Sequence, residues 1–251
     1  MPRWFMELAF DGTPWRGWQR QPAASTVQEE VEKALRTKLH APGLSVVGCG
    51  RTDTGVHASS YWLHFDTAGP IDDLRGFTAA ANQMLPPAIA AKRTIPVDAK
   101  AHARFSATER EYTYQVHRLK DPFLHDRSWL LRIPLDVGAM QQACRSLIGQ
   151  QDFSCFQRTG GDAKTSLCDV REARWAATDT GYEFTITADR YLRNMVRAIV
   201  GTCIRIGRGH WDAERMAAIL ASCDRGQAGK SAPACGLYLS RVSYPFIPAR
   251  A

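Results

Sequence analysis

The segment Gly48-Cys-Gly-Arg-Thr-Asp-Thr-Gly-Val-His57 concentrates the residue types that can do chemistry. Three glycines let it fold tightly between two strands, and Asp53 stands at its tip close to Arg51. A carboxylate beside a guanidinium stays ionised at neutral pH, the state required of a nucleophile or of a charge-stabilising group. Two readings stand at this point. Asp53 is a turn aspartate that bonds its own backbone, the commoner fate of an Asp in a T-D-T-G stretch, or it is a reactive carboxylate towards which a basic protein directs an anionic substrate.

Other chemical signatures fail on spacing. Gly229-Lys230-Ser231 resembles the end of a phosphate-binding P-loop, but the earlier glycine would fall at Asp224 and no strand leads into the segment. Gly48-Cys-Gly50 lacks the third glycine of a dinucleotide loop, Asp53 standing in its place. His57, His64 and His102 are too far apart for a helical pair of zinc ligands, and no G-x-S-x-G elbow occurs. Seven cysteines form no C-x-x-C pair, which suits reduced thiols that fill a core. No metal site is expected.

The 251 residues carry 32 Lys plus Arg against 25 Asp plus Glu, a formal charge of +7 that points to a polyanionic partner. Of the cations 25 are Arg and 7 are Lys. Guanidinium forks onto phosphate and stacks on bases, although GC-rich coding raises Arg as well. Arg190, Arg193, Arg197, Arg205 and Arg208 crowd one short span. No apolar run reaches the ~20 residues that cross a bilayer, and Glu7 falls where a signal peptide needs apolar residues, so a cytoplasmic protein without a membrane partner is expected.

Periodicity supplies the elements that must hold these groups. Trp4 to Phe10 reads as a strand, Val27 to Leu39 as a helix with a Ser25/Gln28 capping box, Leu44 to Cys49 and Ser60 to Asp66 as strands, Asp72 to Met84 as a helix and Ile89 to Val97 as a strand. The order repeats: strand Phe105 to His117, helix Val137 to Ile148, strands Asp169 to Trp175 and Tyr182 to Ala188, helices Leu192 to Ile206 and Asp212 to Ser222, strand Leu237 to Tyr244. This is an α+β chain of two ferredoxin-like or RNA-recognition-motif-like halves, 1–103 and 104–251, packed closely with a cleft between them. Alternation sets Tyr112, Tyr114 and Val116 on one strand face, and Arg193 with Arg197 four residues apart on a helix.

The chain resembles the tRNA pseudouridine synthases of the A type. The resemblance rests on Phe10-Asp-Gly-Thr-Pro-Trp-Arg-Gly-Trp-Gln-Arg-Gln21 with Thr26-Val-Gln28, and on Gly50-Arg-Thr-Asp-Thr-Gly-Val-His57. Later blocks are Asn82 before Leu85-Pro86, His102-Ala-Arg-Phe-Ser-Ala107 before Tyr112, Asn194-Met-Val-Arg197 and Gly236-Leu-Tyr-Leu239. Departures are small: Thr54 stands where the family usually has Ala, and Tyr191 where it usually has Phe.

The resemblance implies that Asp53 is the catalytic aspartate, Tyr112 the aromatic stacked on the target uracil, Arg197 the partner of the carboxylate and Leu237 a hydrophobic wall. Arg51, His57, Asn82, Arg104, Arg16, Arg20 and Arg193 become candidate substrate contacts, with Trp15 and Trp18 either beside them or in the core. It further implies a continuous, mixed but mainly antiparallel sheet with helices on one side, a homodimer, and the anticodon stem-loop of tRNA as substrate at positions 38, 39 and 40. The reaction needs no cofactor, and the sequence leaves open whether Asp53 adds to the uracil ring or acts at the sugar, the route we favour. A noncatalytic RNA-binding protein and a metal-dependent nuclease are the competing readings.

Overall fold

In the computed structural model, residues 1–160 and 164–248 are described. The elements run β1 (Arg3–Phe10), α1 (Val27–Leu39), β2 (Val47–Gly48), β3 (His57–Asp66), α2 (Leu74–Met84), β4 (Ile89–Val97), β5 (Glu109–His117), β6 (Trp129–Leu130), α3 (Val137–Cys144), β7 (Gly149–Asp152), β8 (Leu167–Ala177), β9 (Gly181–Ala188), α4 (Met195–Gly207), α5 (Arg215–Ser222) and β10 (Leu237–Ser243). This is the α+β class that the sequence order predicts. Two units divide the chain: Met1–Thr108 together with the residues from Tyr238 onward, and Glu109–Leu237.

In the first unit β1 lies between β3 and β4, antiparallel to both. Its run Trp4 to Leu8 is buried without interruption, as a strand covered on both faces requires. The one acid in that run, Glu7, is 3% exposed and accepts from Ser60 Oγ at 2.8 Å and Arg93 Nε at 2.7 Å. The free edge of β3 is shared: β2 pairs antiparallel at Val47 and Gly48, and β10 pairs parallel at Tyr238 and Leu239. The sequence reading assigns β10 to the second half. Alternation identifies a strand but not its partner, and a parallel partner so distant in the chain leaves no local signal.

Helix α1 has the predicted limits, with Val27, Val31, Ala34 and Leu35 buried, but its cap is Thr26 rather than Ser25: Thr26 Oγ1 accepts the Glu29 N–H at 3.4 Å. The predicted strand Leu44 to Cys49 shrinks to two residues because α1 takes its backbone groups. Val46 N–H donates to Glu32 Oε1 at 3.2 Å, and Val46 O accepts from Gln28 Nε2 at 3.1 Å.

The second unit carries the antiparallel order β5-β9-β8-β7, with β6 parallel to β5. β6, the two residues Trp129 and Leu130, is too short to show alternation, and the polar β7 has none. The predicted strand from Phe105 starts only at Glu109, since residues 102–106 close into a turn, and the helix predicted from Leu192 starts at Met195, since Asn194 adopts φ 65°. Arg193 therefore precedes α4, and helical spacing does not relate it to Arg197. All seven cysteines are free and five are buried; burial pushes the Cys155 and Cys168 thiols up to about 12, so they stay protonated. Among the described residues no helix is long and apolar enough to cross a membrane.

His64 on β3 gives the first unit a pH dependence. Its Nδ1 accepts the Ala103 N–H at 3.1 Å, and burial, then Arg3 and His102, hold its pKa down at about 4. The unfolded chain, near 6.5, binds the proton more readily, so stability is full above pH 6.5 and falls as pH drops towards 4. The buried His64 accounts for up to about 3 kcal/mol of that loss, and His102 and His117, also lowered by burial, act with the same sign. Urea unfolding across this pH window should show the decline, with a shallower slope in His64→Gln. Equal slopes in the two proteins would contradict the assignment.

Candidate active site

The Asp53 turn is braced from below and from the side. The Val56 N–H donates to Asp53 O at 3.1 Å, closing the turn, and Trp18 N–H donates to Thr52 O at 3.3 Å. The Tyr61 hydroxyl donates to Gly50 O, and the Trp18 and Tyr61 rings stack at 4.1 Å beneath. Gly17 makes this approach possible. It sits at φ +86°, and a Cβ there would meet Thr52 O at 2.5 Å. Asp53 itself is half-buried and Arg51 is exposed, both engaged with neighbours. Asp53 thus stands in a turn closed by main-chain bonds, and both readings of its carboxylate stay open.

His57 does not face outward. It is 1% exposed, its Nδ1 accepts the Gly12 N–H at 3.0 Å, and its ring stacks on Tyr238 at 4.6 Å. It anchors the end of the Asp53 loop to Gly12. Asn82, exposed on α2, ties that helix to β4: Nδ2 donates to Ala91 O at 2.8 Å and Oδ1 accepts from Ala91 N at 2.7 Å. Trp15 and Trp18 are core residues. Arg20 pairs with the buried Glu32 at 3.1 Å while half its side chain stays exposed; Arg16 and Arg104 are exposed.

In the second unit Tyr112 lies on β5, opposite Ile186 of β9, and meets the Tyr191 ring edge-on at 5.1 Å. The Tyr191 hydroxyl lies 2.9 Å from Ile186 O and 3.1 Å from Arg110 O, and burial raises its pKa, so the extra oxygen relative to Phe is kept as a neutral donor. Arg197, in the first turn of α4, is clamped to the segment that follows α5. Its Nε donates to Ala232 O at 2.8 Å, and Arg197 O accepts the Ala232 N–H at 2.9 Å. Asn194 Nδ2 donates to Ser231 Oγ at 2.6 Å, and the Gly229 N–H donates to Thr202 Oγ1 at 2.9 Å. Leu237 is buried at the start of β10.

Members of the five-arginine span make separate contacts. Arg193 reaches Gly160 O at 3.2 Å, and Arg205 covers the Trp211 ring at 4.2 Å, leaving it a packing role. Among the described residues no group of three or more His, Cys, Asp and Glu side chains could hold a metal ion.

Comparison with known proteins adds decisive information. Residues 143–245 match a family model described as tRNA pseudouridine synthase. The tRNA pseudouridine synthase A of Parabacteroides distasonis is 43% identical, covering 98% of this chain and 97% of its own. That of Porphyromonas gingivalis is 44% identical, with 98% of each chain covered. The chain belongs to the tRNA pseudouridine synthase A family. The enzyme of the same name from Bacteroides thetaiotaomicron is 44% identical over 98% of this chain and 91% of its own. Within this synthase A chain, the glycine at position 17 and the Trp18–Tyr61 stack brace the Asp53 turn, which periodicity could not single out, though Gly17 and Trp18 fall within the first block of the resemblance.

Proposed function

We propose that this protein isomerises uridine to pseudouridine in the anticodon stem-loop of tRNA, at positions 38, 39 and 40, with Asp53 as the reacting carboxylate. The observation that carries the reading is a carboxylate on a turn fixed by Trp18, Tyr61 and Gly17, in a chain of this family. A turn fixed in advance costs no reorganisation when charge develops at the sugar. The bond from ribose C1′ to N1 breaks, the base turns, and C1′ joins C5. N1 gains a proton and C5 loses one, so the change balances without redox chemistry or energy input.

In this reading Tyr112 stacks on the target uracil, Arg197 pairs with the carboxylate, Leu237 walls the pocket, and Arg51, Arg104, Arg16, Arg20 and Arg193 contact the RNA. The target uridine must leave its stack to react, and backbone contacts offset the roughly few kcal/mol that this costs. The protein acts as a cytoplasmic homodimer. Incubation with unmodified tRNA and mapping of pseudouridine tests substrate, reaction and position together: new pseudouridine at 38 to 40 supports the reading, and intact uridine there overturns it.

Phosphate-led docking also predicts a salt response. Three neutralised phosphates give a log–log slope of about −2.7, roughly 40-fold weaker binding between about 50 and 200 mM salt. A flat response in a filter-binding titration would contradict it.

A further inference from the structure

Phe105 is 76% exposed, one of three exposed phenylalanines with Phe123 and Phe246, while the other seven are buried. Its exposure does not come from a loose chain. The loop between β4 and β5 that carries it is fixed at nearly every residue. Arg3 Nη1 donates to Ala101 O at 2.9 Å, the Ala103 N–H to His64 Nδ1 at 3.1 Å, and the Tyr244 hydroxyl to Ala103 O at 2.6 Å. The His102 N–H donates to Ser106 Oγ at 3.0 Å, and the Ser106 N–H returns to His102 O at 2.9 Å. The N–H groups of Arg104 and Phe105 both point at His102 Nδ1, at 3.1 and 3.3 Å.

These bonds also fix the ring's surroundings. The His102 imidazole lies 4.4 Å from the Phe105 ring at 33°, and is itself held edge-on to His64 at 4.7 Å. Burial, then Arg3 and Arg104, lower the His102 pKa, which keeps the imidazole uncharged at neutral pH. The Arg104 guanidinium lies 5.5 Å from the Phe105 centroid. An exposed aromatic ring backed by a second ring, with this guanidinium over it, offers an unstacked nucleobase π contact while the cation meets its phosphate. The charge of +7 favours a nucleic-acid occupant over an apolar protein surface.

We propose that Phe105, backed by His102 and flanked by Arg104, is a stacking platform for an unpaired base of the bound tRNA other than the uridine that reacts. The inference rests on the tRNA-modifying reading above and adds a binding residue to it. Rigid display means that little ordering entropy is lost when the base arrives.

Binding of unmodified tRNA and kcat/KM should be measured for wild type, Phe105→Ala, Phe105→Leu and Phe105→Trp. Because the side chain is exposed, the melting temperature should not move. The Ala and Leu variants should each bind tRNA and turn it over about tenfold less well, with the loss in KM rather than kcat, and Trp should restore both. Leu keeps the apolar bulk without the π face, so a Leu variant that binds like wild type overturns the platform. So does an Ala variant with wild-type affinity, or one whose defect is loss of an oligomer at unchanged tRNA affinity. If wild type itself forms no pseudouridine, the functional reading fails instead, a distinguishable result.

Discussion

Asp53→Asn should abolish pseudouridine formation while leaving the protein folded and bound to tRNA. The bonds that shape the turn run through Asp53 O, Thr52 O and Gly50 O, and Asn supplies the same backbone with a side chain of equal size. What it removes is the anionic oxygen. Loss of a reacting carboxylate should lower turnover by about 10³-fold or more, on the scale seen when nucleophiles are deleted. Stability should change by no more than about 0.5 kcal/mol, as for a partly exposed position without a packing change. Single-turnover assays with thermal melts and tRNA titrations separate the possibilities. A variant that modifies tRNA at the wild-type rate would return Asp53 to the role of a turn former.

Gly201→Ala should be the most damaging small substitution in the second unit. On α4 an added Cβ would lie 1.8 Å from Lys230 O, a backbone atom that cannot rotate away. Alanine's better helix propensity, worth about 1 kcal/mol, does not offset that clash. The 229–232 segment must lift, and with it go the bonds of Gly229 to Thr202 and of Ala232 to Arg197. We expect a loss of about 3 kcal/mol or more, or a fall in melting temperature of about 6 to 12 °C. Turnover should fall too, although Arg197 is untouched, because its Nε loses the carbonyl that aims it. Gly43→Ala, with open space around it, is the control that should melt like wild type. An unchanged melt for Gly201→Ala would show that the segment yields without cost.

Much of this was legible in the sequence where one element explains itself. Val27 to Leu39 declares a helix through its own periodicity, and Tyr114 falls in the core by strand alternation, its hydroxyl donating to Pro233 O at 2.8 Å. What depends on a distant partner was not. Val46 loses its strand bonds to Glu32 and Gln28, and β10 pairs with β3 far along the chain, Tyr238 opposite His57. His57 and Asn82 carry side chains suited to substrate contact, and each also bonds a backbone group, of Gly12 and of Ala91, that no spacing rule connects to it. Asp53 was legible as a candidate from its glycine-flanked turn and its arginine neighbour. The brace under it was not, since Gly17 and Tyr61 reach it through space.

The most direct test uses tRNA tritiated at uracil C5, incubated with wild type and with Asp53→Asn in the presence of a chelator. Forming the C1′–C5 bond expels the C5 hydrogen, so wild type should release tritium to water in step with pseudouridine formed, and Asp53→Asn should release none above background. Comparable release by the two proteins would contradict the claim that Asp53 drives the exchange.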